Sequence, residues 1–325
     1  MSMLEQLIGQ VSIDVTLSDP DLDQQLDVLD ANVTYQRPDM GLLLTGCRPE
    51  QALKQIRLLY TLCPVAQQLA AAKGLRLAAP CQPSAVVREW INEHSWQLAQ
   101  MLLVTDPGIN IMQPTVSLRT GDLSALTLLF GVAPAVWLSF SEQQVETWVA
   151  GQSAPYAKLM AQLTAPRWCY LGRNRNQAAM GAIRRQSKHS FMAYAQLRWG
   201  ELAQRIFSRL VELALLAVGE YQPAQAVYHS SAFGECGASI EAVRGKLTHN
   251  IRLNREGLIE AYQICTPTDA YCANRGELYQ SLIGSRLHQD DLDKGLKLLV
   301  SAFDPCVGFV IHPVVGKQRI SHSQG

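Results

Sequence analysis

Two cysteine segments near opposite ends of the chain set the strongest limit on its fold: RLLYTLCPVAQ at residues 57 to 67 and FDPCVGFVIH at residues 303 to 312. Each supplies one thiol, Cys63 and Cys306, where a complete metal clamp would supply two. Tyr60 stands three positions before Cys63, and Phe309 stands three positions after Cys306. Each segment is thus a half-complete cysteine motif.

The surrounding sequence is dominated by helical periodicity. Pro49 suits a first turn, and Ala52, Ile56, Leu59 and Cys63 recur at helical spacing, predicting a helix over 49–63 that Pro64 interrupts. The thiol of Cys63 is thereby expected at a helix end, with a second apolar helix from Val65 to Lys73. Ser84 is placed to cap a helix through Trp90, Ile91, Leu98, Met101 and Leu102 that stops before Asp106-Pro107-Gly108. Further helices are predicted at 122–131, 142–163, 194–218 and 290–303. The last of these opens with Asp290 and Asp291 at its positive end, shows Leu292, Leu296 and Leu299 on one face, and delivers the chain to Asp304-Pro305-Cys306.

Between 226 and 265 the pattern becomes short strand-like runs, with Asn254-Arg255-Glu256-Gly257 reading as a hairpin turn. The expected fold is mainly α with a small antiparallel β insert (α+β), a single domain over 1–325 with a β-rich insert near 226–265 and a flexible tail at 313–325.

With 325 residues and 48% hydrophobic content, such a chain buries roughly three quarters of its unfolded surface and needs no covalent staples. Lys plus Arg (28) balance Asp plus Glu (28), so net charge offers no steering toward nucleic acid or an anionic membrane. The N-terminal MSMLEQLIGQVSIDV lacks a basic segment followed by an apolar core, so a cytoplasmic location is expected. The most apolar helical stretch carries Arg198, Glu201, Arg205, Arg209 and Glu212, too many charges for a bilayer core. None of the eight cysteines falls in a C-x-x-C, which argues against a zinc ribbon or a thioredoxin-like pair and makes free thiols the expectation.

Cys63 and Cys306 read either as small buried hydrophobes or as soft-metal ligands. Cys63 abuts Pro64, and His312 follows Cys306 by six residues, a spacing compatible with ligands from one loop. In Glu241-Ala242-Val243-Arg244-Gly245, Arg244 is either a surface charge beside a turn glycine or a guanidinium held near a cavity to bind anionic ligands. Thr266-Pro267-Thr268-Asp269 is either a strand-terminating turn or a loop presenting hydroxyl and amide donors to a small anion.

His94, His189, His229 and His288 share no ligand spacing and read as core or solvated residues. The basic run Arg173 to Lys188 reads as a solvated loop or a docking face for an acidic partner. Phosphate-loop, dinucleotide, nucleophile-elbow and H-E-x-x-H motifs do not occur.

In this order and with these flanks, the segments resemble the large subunit of nickel-iron hydrogenases, whose four cysteines come as one C-x-x-C near each end. RPEQALKQIR resembles the stretch before the first motif, EAVRGKLTHNIRL the segment that places an arginine beside the iron cyanides, and YQICTPTDAY the loop whose proline and hydroxyl residue contact them. Gln67 stands where the first motif has a histidine, while His312 keeps the histidine of the second. By the resemblance Cys63 matches a bridging cysteine, Cys306 one that binds nickel alone, and Phe309 the second bridging position. Tyr60 and Phe309 leave too few thiolates for the family's nickel site.

Together with REWINEHSWQLAQMLL, these features make the chain similar to the HupK/HoxV hydrogenase expression/formation proteins, shortened relatives of the large subunit. The resemblance implies a truncated large-subunit-like helical bundle and a non-enzymatic maturation scaffold. It also implies transiently bound iron with cyanide and carbonyl ligands and no nickel, with Cys63, Cys306 and His312 toward the metal and Arg244, Pro267 and Thr268 toward its diatomic ligands. The implied partners are the immature large subunit, a small HypC-type chaperone and the iron-assembly complex, with no nucleic acid and no membrane. A degenerate hydrogenase-like enzyme and a metal-free interaction protein mimicking the large subunit stand as alternatives.

Overall fold

The run QVSIDVTL alternates apolar and polar residues, the period of a strand with one covered face. The computed structural model describes residues 9–78, 81–172, 180–221, 225–228 and 235–315. In it this run is strand β1 (Gln10–Leu17), and Val11, Ile13, Val15 and Leu17 are fully buried. The remaining strands are β2 (Gln25–Gln36), β3 (Gln225–Tyr228), β4 (Glu235–Ala242), β5 (Gly245–Leu253), β6 (Ile259–Cys265), β7 (Arg286–His288) and β8 (Gly308–Val315).

They form two four-stranded sheets, ordered β7-β2-β1-β8 and β3-β4-β5-β6. The second sheet is an antiparallel meander and coincides with the predicted β insert. Its β5–β6 turn is tied by Asn254, whose Oδ1 accepts the N–H groups of Glu256 (3.0 Å) and Leu258 (2.9 Å), with Gly257 at φ +76.

The first sheet departs from the expectation of a single insert, because it is assembled from both ends of the chain. β8 runs parallel to β1, placing Val11 opposite Phe309 and Asp14 opposite His312. Pairing at such separation depends on partners that no local pattern reveals. The same pairing corrects the expected tail: Pro313, Val314 and Val315 complete β8, whereas residues 316–325 lie outside the described residues. His229 and residues 173–179 of the basic run also lie outside them.

Helices make up about half of the chain, so the α+β reading holds. The helices Pro83–Thr105, Glu201–Val218 and Leu292–Phe303 pack on one another around Leu98, Met101, Leu210, Leu213 and Leu299, all fully buried. Beside them Trp137 meets Phe130, Trp148, Phe191 and Phe207 with ring centroids 4.9–5.7 Å apart.

Several predicted boundaries shift for local reasons. The 142–163 stretch is two helices, Glu142–Gly151 and Pro155–Leu163, separated at Gln152 (φ +48). The 194–218 stretch is likewise divided, between Ser190–Arg198 and Glu201–Val218. The 49–63 helix ends at Leu59, where Tyr60 turns extended (φ −119, ψ 117), and Cys63, in front of Pro64, adopts a left-handed conformation (φ +49, ψ +41). Pro64 then opens the helix Pro64–Gly74. Its buried Ala66, Ala70, Ala71 and Ala72 let it pack closely on β4 and β5, with Cys63 projecting from its N-terminal end.

Candidate ligand cavity between the two cysteine segments

Cys63 is held in place from two sides. Glu89, on the Pro83–Thr105 helix, accepts the N–H groups of Val65 (2.6 Å) and Ala66 (3.1 Å), the free donors of the helix that Cys63 caps. Burial nevertheless raises the Glu89 carboxyl to about 7, against the pull of those two bonds. From the other side, Arg244 Nη1 donates to Cys63 Sγ at 3.0 Å.

Arg244 occupies the two-residue turn between β4 and β5, where Ala242 pairs with Gly245. The turn is clamped by Arg185, which donates to the carbonyls of Ala242 (3.2 Å) and Val243 (2.7 Å). Arg185 is itself anchored by both carboxylate oxygens of Glu212 at 2.8 and 2.6 Å and lies over the ring of Trp90 at 4.3 Å. His94 Nε2 sits 2.8 Å from Glu212, and burial lowers this imidazole to about 4, so it is neutral near pH 7. His94 is thus a core histidine.

The far side of Arg244 reaches the second cysteine segment. Asp304 ends the Leu292–Phe303 helix in a left-handed conformation (φ +58), two residues before Cys306. Arg244 Nε donates to its carbonyl oxygen at 2.9 Å, and Nη2 to Oδ1 at 3.1 Å. Glu93 Oε2 adds a second carboxylate 2.9 Å from Nη2, without hydrogen-bond alignment. One buried guanidinium therefore joins the Cys63 thiol, the β4–β5 turn and the loop that carries Cys306.

These elements enclose a cavity of about 250 Å³. Its wall includes Cys63, Cys306, Arg244, Pro267, Gln67 and Tyr60. Of the cysteines, only Cys63 and Cys306 line it, and all eight are free thiols. Burial raises the pKa of both cavity thiols, opposed chiefly by the charge of Arg244.

Two predicted site residues stand elsewhere. His312 is exposed on β8 and does not line the cavity, since the strand carries it away from Cys306. Thr268 is fully buried behind the wall, where its hydroxyl meets Tyr271 Oη at 3.1 Å and accepts the Cys306 N–H at 3.4 Å. Its segment is a short capped helix, Pro267–Tyr271, in which Thr266 and Asp269 cap each other. Among the described residues, no three His, Cys, Asp or Glu side chains converge as a metal-binding group.

Sequence reasoning passed over Glu89, Glu93 and Asp304, whose roles arise from contacts between distant segments. It also passed over Arg37, which lines the cavity, pairs with both Asp269 oxygens (2.9 and 3.0 Å) and donates to the Ile264 carbonyl at 2.6 Å. The sequence marks Tyr60 only as the position of an absent cysteine. Its hydroxyl is buried in the cavity wall with no hydrogen-bond partner among the described residues.

No protein-family model matches the chain. It is 26% identical over 94% of its length to the hydrogenase expression/formation protein HupV of Azotobacter chroococcum, covering 98% of that protein, and 25% identical at the same coverage to HupK of Azotobacter vinelandii. A 33% portion is 32% identical to HupK of Bradyrhizobium diazoefficiens, covering 32% of that protein. Among solved structures, the Ni-Fe-Se hydrogenase of D. vulgaris Hildenborough superposes with a TM-score of 0.58 at 11% identity, covering 91% of this chain and 98% of that one. The hydrogenase of Dm. baculatum gives 0.52 at 12%, covering 91% and 98%. The chain is thus a homologue of the HupV and HupK hydrogenase expression/formation proteins and carries a fold like that of the hydrogenase large subunit.

Proposed function

We propose that the chain is a non-enzymatic scaffold in hydrogenase maturation, which holds an iron fragment bearing cyanide and carbonyl ligands as cargo and passes it to the immature large subunit. The observation that carries this reading is the meeting of Cys63 and Cys306 in one cavity, with Arg244 on the sulfur of Cys63. Two soft thiolates suit low-spin iron, and the unpartnered Tyr60 hydroxyl suits a ligand with an outward acceptor. The wall offers no further thiols with which to complete a four-thiolate nickel site, so the fragment stays available for onward transfer.

Cys63 and Cys306 would hold the iron, with Arg244 stabilising the Cys63 thiolate and Pro267 forming part of the cavity wall. Because burial raises both thiols, loading expels their protons. The scaffold works in the cytoplasm, where free thiols persist, and receives its cargo through a small HypC-type chaperone and the iron-assembly complex. Among the described residues, no helix is long and apolar enough to cross a membrane.

A metal-free protein that mimics the large subunit to engage its chaperones is the second reading, favoured by the absence of a third converging ligand among the described residues. Infrared spectra of protein purified anaerobically from cells carrying the maturation genes separate the two. The scaffold reading expects cyanide and carbonyl bands that a Cys63→Ala/Cys306→Ala variant loses. Absence of both bands, with iron content and partner capture unchanged in the variant, supports the metal-free reading instead.

A further inference from the structure

Gln67 lies in the cavity wall, yet it is 95% buried, and its Oε1 sits 2.8 Å from His249 Nε2. His249 is fully buried, and its Nδ1 lies 2.8 Å from the hydroxyl of Tyr262, itself 5% exposed. The three side chains form a closed series with two arrangements. In the first, the Tyr262 O–H donates to Nδ1, the Nε2–H donates to Gln67 Oε1, and the Gln67 amide N–H groups remain for the cavity. In the second, the Gln67 amide is reversed, its N–H donates to Nε2, and Nδ1–H donates to the Tyr262 oxygen.

The second arrangement leaves the Tyr262 proton without an acceptor among the described residues, because His249 is that hydroxyl's sole partner there. A buried unsatisfied hydroxyl costs about 1–3 kcal/mol, so the first arrangement prevails. It needs a neutral imidazole, and burial lowers His249 to about 3.

We infer that Gln67, fixed by His249 and Tyr262 as positioning residues, presents its amide N–H groups to the cavity as a donor that selects ligands with an outward-facing acceptor, such as the nitrogen of an iron-bound cyanide. The ligand class rests on the scaffold reading, whereas the donor assignment rests on the hydrogen-bond geometry alone. A residue at this position that binds no metal would grip the outer end of the cargo and leave the iron to the thiols. Gln67 and the unpartnered hydroxyl of Tyr60 then share one task at two points of the wall.

Two measurements on the full chain test this. Histidine ¹⁵N shifts of the ligand-free protein are expected to show His249 as the Nε2–H tautomer; the Nδ1–H tautomer overturns the donor assignment. Infrared spectra of protein purified with its maturation partners are expected to show cyanide bands displaced in Gln67→Leu with the carbonyl band retained, and two sets of cyanide bands in Tyr262→Phe, where both amide orientations become accessible. Undisplaced cyanide bands in a folded Gln67→Leu variant overturn the recognition role. If wild-type protein carries neither cyanide nor carbonyl, the iron cargo and the ligand class fall together, and the tautomer alone decides whether Gln67 is a cavity donor.

Discussion

Arg244 donates from Nη1 to the sulfur of Cys63 at 3.0 Å while its Nε holds the carbonyl of Asp304 at 2.9 Å, two residues before Cys306. The two cysteine segments are therefore registered against each other by one buried side chain. Asp304 and Glu93 face the same guanidinium, so its removal takes a cationic partner from both carboxylates, leaving Asp304 with Arg209 at 3.4 Å, as well as loosening the thiol.

Arg244→Met is expected to cost about 3–5 kcal/mol, the range for removing one partner of a buried ion pair, measurable by urea denaturation. Arg244→Lys recovers part of this at most, since an ammonium cannot span the thiol, the carbonyl and two carboxylates in one plane. Stability in Arg244→Met within about 0.5 kcal/mol of wild type, the usual range for a surface substitution, would contradict the arrangement.

Metal binding by the two thiols should strengthen as pH rises. Both are raised by burial, so they are protonated near pH 7 and must lose their protons to ligate. Anaerobic Co(II) titrations followed by thiolate charge-transfer absorption are expected to show tighter binding above neutrality and its loss in Cys63→Ser and Cys306→Ser. His312→Ala should bind as wild type does, because His312 is exposed on β8 and away from the cavity.

His249 makes a pH-dependent contribution of definite sign. Its folded pKa of about 3 lies below the ordinary imidazole value of about 6.5, so the unfolded chain takes up the proton first. This contribution is present above pH 6.5 and is lost as pH falls toward 3. The stability advantage of wild type over His249→Leu should shrink across that window in denaturation curves taken at successive pH values. A constant difference would mean that His249 titrates normally in the fold.

Glu89 holds two otherwise free N–H groups at the end where Cys63 sits. Glu89→Ala leaves both unsatisfied and is expected to cost about 1–3 kcal/mol. It should also speed alkylation of Cys63 relative to wild type, as read by peptide mass analysis after timed labelling. Glu89→Gln should lie between the two, because its carbonyl oxygen still accepts one bond.

The sequence by itself determined the parts whose signal is local. Helical periodicity, the prolines at 49 and 64, the strand runs of the β4–β6 meander and the Asn254–Gly257 turn follow from backbone sterics and side-chain spacing over a few residues. Cys63, Cys306, Arg244 and Pro267 stand out through their resemblance to large-subunit segments, and the four line one cavity. Only the tertiary structure decided what lies between them. The parallel pairing of β8 with β1 takes His312 to the surface, and the close packing of Thr268 under Cys306 hides the hydroxyl that its turn-like sequence offers. Glu89 on its helix, Asp304 at a helix end and the Tyr262–His249–Gln67 series acquire their roles because buried polar groups must find partners. Those partners lie far apart in the chain, where no periodicity or spacing connects them.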